Sequence, residues 1–166
     1  MSYQFSVHEI LEMAVHIEEN GAKFYRDMTE NISDSSIRQL FFDLAAMEEE
    51  HQKVFIAMNK DLSDRERKPT VFDPQGELVQ YLRALAELRV FHEKTKDDFN
   101  LPEELSKGEK TGKILQAALD LEKDSIVFYL GMRELVPEQL GKKKIDKIIK
   151  EEMGHIKVLI NKLTSL

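Results

Sequence analysis

The sequence predicts an all-α fold, a four-helix bundle of two antiparallel helical hairpins joined by a long crossover that contains an additional helix. Three observations predict it. Apolar residues recur at alternating intervals of three and four through four long segments, the spacing of a single helix face. Stretches rich in Pro, Gly, Asn, Asp and Ser separate those segments. The second pair of segments repeats the first at an offset of 104 residues: Ala14, Phe24, Tyr25 and Met28 return as Ala118, Phe128, Tyr129 and Met132, and Lys53, Val54 and Ile56 as Lys157, Val158 and Ile160. With 166 residues and 42% hydrophobic content, the chain suits one domain, 1–166, with a substantial core.

Ser6-Val7-His8-Glu9 is a capping box, and it starts a first helix that runs to about Glu30. Its inward stripe is Val7, Leu11, Ala14, Glu18, Gly21, Tyr25 and Met28. Asn31, Ser33 and Asp34 supply polar caps before a second helix with the stripe Ile37, Phe41, Leu44, Glu48, His51, Phe55, Met58 and Leu62. Residues 63–76, with Pro69 and Pro74, read as an exposed connection between halves. Leu78, Tyr81, Leu82, Leu85, Leu88 and Phe91 have helical spacing and predict a crossover helix over about Glu77 to Lys96 that covers one side of the bundle. After a segment with Pro102 and Gly108, a third long helix, about Thr111 to Leu135, carries Leu115, Ala118, Glu122, Ser125, Tyr129 and Met132. The fourth begins at about Glu138 or Lys142, behind Pro137, and carries Ile145, Ile148, Glu152, His155 and Leu159 to about Leu163.

The repeat also carries charge into the apolar stripes. Glu18, Glu48 and His51 return as Glu122, Glu152 and His155, each mid-stripe. A lone Glu-x-x-His is ordinarily an exposed helical pair, but four inward carboxylates require compensation, because a buried unpaired carboxylate costs several kcal/mol. Two divalent cations supply it. Residues at i and i+3 share a helix face, so Glu48 with His51, and Glu152 with His155, can each grip one ion while Glu18 and Glu122 bridge or cap. Such a ligand set accepts iron, and also manganese or zinc.

The chain resembles the rubrerythrin-like, ferritin-like di-iron carboxylate proteins. The resemblance is carried by Glu18 with Phe24-Tyr25, Glu48-Glu49-Glu50-His51, Glu122 with Phe128-Tyr129, and Glu152-Met153-Gly154-His155, and it spans about residues 6–62 and 111–163. It implies that the six Glu and His residues bind two iron ions and that Tyr25 and Tyr129 hydrogen-bond the ligand carboxylates. It also implies an oxidoreductase that reduces peroxide or dioxygen, peroxidase or ferroxidase-like; the alternative is a non-catalytic iron-binding, sensing or storage protein. Two departures stand out. The rubredoxin-like domain of full-length family members needs cysteines, of which this chain has none, so an external electron donor is expected. An additional Glu ligand common in the family is replaced by Ser125, with Gly21 at the matching place in the first helix.

Absent cysteines exclude disulfides, thiolate zinc sites and iron–sulfur clusters from this chain. A net charge of −7 argues against nucleic-acid binding. No apolar run approaches the ~20 residues that cross a bilayer, and Met1 to Phe5 lacks the order of a signal peptide, so a cytoplasmic protein without membrane partners is expected. A homodimer is expected from the family. Glu19, Glu49, Glu50 and Glu151 read as solvated, His8, His16 and His92 as surface or packing residues, and Phe41, Phe42, Phe55 and the methionines as core.

Overall fold

A computed structural model describes residues 6–68, 73, 75–90 and 101–166, the side chains of 86–90 excepted. The described residues form α1 (Val7–Met28), α2 (Ser35–Lys60), α3 (Glu77–Val90), α4 (Lys107–Leu135) and α5 (Lys142–Thr164), with short 3-10 turns at Thr29–Asn31 and Glu138–Leu140. No strand occurs among them.

Local chemistry sets the helix starts. In α1 the Glu9 amide donates to Ser6 Oγ at 3.2 Å, and the Ser6 amide donates to Glu9 Oε2 at 2.9 Å. Asp34 accepts from the Ile37 amide and opens α2. A second capping box, Ser106 with Glu109, starts α4 one turn before the expected Thr111. That box lies outside the 104-residue repeat, which is why the periodicity alone places the start too late. Before α5, Gly141 takes φ +111°, a left-handed conformation that L side chains rarely adopt, and a Cβ there would meet Met58 Cε at 2.8 Å.

Within each hairpin α1 packs on α2 and α4 on α5; between hairpins α1 lies beside α4 and α2 beside α5. The side-chain pairs give the directions. Tyr25 meets Glu122 while Glu18 meets Tyr129, so α1 and α4 run antiparallel. His51 meets Glu151 while Glu48 meets His155, so α2 and α5 do too. α2 and α4 are therefore parallel, and the chain between them must travel back along the bundle, about 39 Å for a helix of 26 residues. α3 lies within that return and packs on α1 and α4. Among its described side chains Val79 and Leu82 are buried, flanked by Leu78 and Leu85, while Tyr81, expected inside, is exposed. Gly131 lets α3 come close, since a Cβ there would sit 2.9 Å from Leu82. Expected residues 91–96 of this helix lie outside the described residues.

The apolar core falls into two clusters. One, with Val7, Leu11, Phe55, Met58, Tyr129 and Ile145, fills the end where α1 and α5 begin. The other, with Phe24, Met28, Phe41, Leu44, Ile114 and Leu159, fills the end where α2 and α4 begin. Phe42, expected in the core, is exposed, as are Met47 and Met153. No described helix is long and apolar enough to cross a membrane.

Candidate metal centre

Between the two apolar clusters lies a polar belt built from all four long helices. Glu18 comes from α1, Glu48 and His51 from α2, Glu122 from α4, and Glu152 and His155 from α5; none is more than 4% exposed. Each sits on an otherwise apolar stripe, so burying the stripe carries the charged group into the middle of the bundle.

These residues form two overlapping sets, Glu18, Glu48, His51, Glu152 and Glu48, Glu122, Glu152, His155, within each of which one ligand atom per residue lies within 4.8 Å of the others. Glu48 and Glu152 belong to both. The sequence left Glu18 and Glu122 to bridge or to cap; the geometry makes them the outer members and gives the shared position to the glutamates of the two Glu-x-x-His motifs. Both imidazoles turn Nδ1 inward. His51 Nδ1 is 3.1 Å from Glu152 and 3.5 Å from Glu18, and His155 Nδ1 is 2.8 Å from Glu152 and 3.3 Å from Glu48. The rings stack with centroids 5.8 Å apart.

Glu18 Oε2, Glu48 Oε1, both oxygens of Glu152 and the Nδ1 atoms of His51 and His155 are buried without a hydrogen-bond partner. Buried polar atoms are ordinarily satisfied, and six unsatisfied lone-pair donors converging on one belt fit divalent cations. Carboxylate and imidazole suit iron, manganese or zinc. Tyr25 donates its hydroxyl to Glu122, and Tyr129 donates to Glu18, each from the opposite hairpin. Burial first, and then the neighbouring Glu122 for Tyr25 and Glu18 for Tyr129, push both phenols well above their usual range, so they remain protonated donors.

Electrostatics without a cation show the same need. Burial, with Glu48 close by, raises the Glu18 carboxyl well above the usual range, and burial also raises Glu152. Burial alone would lower His51, but the Glu152 and Glu18 carboxylates beside its Nδ1 override it and carry the imidazole up to about 11. His155 is likewise lowered by burial and carried up to about 12 by Glu122, Glu152 and Glu48. Without cations, Glu18, Glu152, His51 and His155 are all shifted toward their protonated forms.

Three further positions shape it. Gly21 gives Glu48 its place, since a Cβ there would meet Glu48 Oε2 at 3.2 Å. Ser125, the matching position, turns its hydroxyl to the Leu121 carbonyl at 3.0 Å and away from the belt. Glu151 corrects the sequence reading: it is not a solvated bystander but lies 3.1 Å from His51 Nε2, and its side chain is one-third exposed. Stripe logic misses it, because a residue one step from a ligand turns toward the flanking helix, here α2, and only the bundle shows which helix that is. Glu49 ion-pairs with Arg26. His8 bonds Asn59 and His16 pairs with Glu19 at the surface, while His92 lies outside the described residues.

The rubrerythrin family model matches residues 9–109, a stretch that holds Glu18, Glu48 and His51. No curated protein compared with the chain matches it. A crystal structure from Thermotoga maritima, provisionally described as a ferritin-like diiron-carboxylate protein, superposes with a TM-score of 0.66 at 24% identity, covering 99% of this chain and 98% of the other.

Proposed function

The chain belongs to the rubrerythrin family, has a ferritin-like fold, and carries a buried Glu/His cluster that fits a di-iron site; from that premise we propose that it is a non-haem di-iron oxidoreductase that reduces peroxide or dioxygen. The observation that carries the proposal is the pair of four-residue sets sharing Glu48 and Glu152, with buried lone pairs that nothing in the protein satisfies. Glu18, Glu48, His51, Glu122, Glu152 and His155 would hold the two ions. When bound, two ferrous ions supply one electron each, the two that cleavage of a peroxide bond consumes.

The chain's own residues do the rest. Glu48 and Glu152, common to both four-residue sets, would serve both ions. Glu18 and Glu122 close the outer sides, held in orientation by Tyr129 and Tyr25. Phe41 packs edge-on to Tyr25, and Phe55 beside Tyr129, so apolar rings back the hydroxyls and exclude bulk water from those bonds. Gly21 leaves the space that the Glu48 carboxylate fills, and Ser125, its hydroxyl held by the Leu121 carbonyl, adds no further carboxylate to the belt. No residue of this chain has a thiol, so the electrons that restore the ferrous state come from a separate donor.

Anaerobic loading with ferrous iron, followed by stopped-flow mixing with hydrogen peroxide, tests the proposal. Rapid appearance of ferric charge-transfer absorption, with two irons oxidised per peroxide, is the expected result. Iron that binds at two equivalents but stays ferrous in peroxide would replace this reading with that of an iron-binding protein.

A further inference from the structure

The two halves of the centre differ, and we propose that Glu151 is a positioning residue for His51, so that the ion held by Glu18 and His51 binds first and more tightly than the ion held by Glu122 and His155. The inference rests on the two-ion reading above.

A histidine that offers Nδ1 to a cation must carry its proton on Nε2. For His51 that N–H has a partner, Glu151 Oε2 at 3.1 Å, and Glu151 is itself steadied by Lys147 at 3.5 Å. The carboxylate fixes the tautomer, locks the ring angle and makes Nδ1 more electron-rich, effects that commonly change metal affinity about ten- to a hundredfold. In the other half of the bundle the 104-residue repeat puts Met47 in the place of Glu151. Met47 is 38% exposed, and a thioether is a weak acceptor. His155 Nε2 is accordingly buried with no hydrogen-bond partner. His155 thus enters its coordination without the brace that its counterpart has, and must be ordered by the ion itself.

Cobalt(II), added to the metal-free full-length protein, is the probe. Calorimetric titration should resolve two equivalents separated by about ten- to a hundredfold in affinity. Below one equivalent, paramagnetically shifted ring protons should come from His51 and not from His155. Glu151→Ala should weaken the first step by about the same factor and merge it with the second, while Glu151→Gln, which keeps an acceptor oxygen, should lose less. Lys150→Ala, at an exposed position of α5 next to Glu151 in the chain, should leave the order of filling unchanged. Met47→Glu, at an exposed position that does not depend on refolding the core, should strengthen the second step. Two equivalents of one affinity, early shifts from His155, or an isotherm that a folded Glu151→Ala protein leaves unchanged would each overturn the inference and spare the two-ion reading. Failure to bind a second equivalent would overturn both.

Discussion

At the scale of single residues, the centre depends on groups that satisfy each other across the bundle. Tyr25 and Tyr129 are each committed to a carboxylate of the other hairpin, so Tyr25→Phe strands Glu122 and Tyr129→Phe strands Glu18. Each substitution should destabilise the protein by about 2 kcal/mol in urea denaturation, the cost of leaving a buried acceptor without its partner. Ferrous-ion affinity should also fall by about tenfold, because an unbraced ligand carboxylate is free to turn. Unchanged binding in both variants would show that the hydroxyls serve packing alone. All six belt residues were legible from sequence, because a charged group on an apolar stripe has nowhere to go but inward. Which glutamates are shared was not legible. That depends on how α2 and α5 are turned within the bundle, which brings Glu48 and Glu152 into both four-residue sets and leaves Glu18 and Glu122 in one each. Glu151 was lost for the same reason, since one residue past a stripe means solvent on a lone helix and a neighbour inside a bundle.

At the scale of elements, the termini hold the helices in the register that the centre needs. Gly141 combines a left-handed backbone with a close approach to Met58, so Gly141→Ala should cost about 2 kcal/mol, more than helix propensity could return. Ser106→Ala removes the amide cap of α4 and should cost about 1 kcal/mol. Urea midpoints of the two variants measured side by side check this, and a larger loss for Ser106→Ala would reverse the assignment of strain to Gly141. Long helices with strict stripes were read correctly from sequence, within a residue or two at most ends. The early start of α4 is not marked by the repeat, because Ser106 and Glu109 form a capping box with no counterpart 104 residues earlier. In α3 the alternation admits Tyr81 as readily as Val79, and only the position of α1 and α4 decides that Val79 faces them.

At the scale of the whole molecule, the buried charge couples stability to pH and to metal. In the metal-free protein the folded-state values of His51 and His155 lie far above those of an unfolded chain, at about 11 and about 12. Their contribution is thus complete below about pH 6.5 and is lost as pH rises toward those values. Glu18 and Glu152 are raised as well, so their protonated forms favour the fold at low pH and this support also fades as pH rises. All four trends share one sign. The melting temperature of chelated protein should therefore fall steadily from about pH 5 to pH 9, while that of loaded protein, whose ligands have given up their protons, should not, so the gap between them widens. Calorimetric scans of both forms check it, and parallel curves would contradict the whole electrostatic account of the belt.

The reciprocal reach of Tyr25 and Tyr129 across the bundle axis has one more implication. Either hairpin, met by a copy of itself about a dyad, would present the same handshake of phenol and carboxylate, so the polypeptide is in effect a tethered pair of half-proteins. Because one chain carries both halves, they need not be identical, and Met47 against Glu151 and Gly21 against Ser125 are places where they differ.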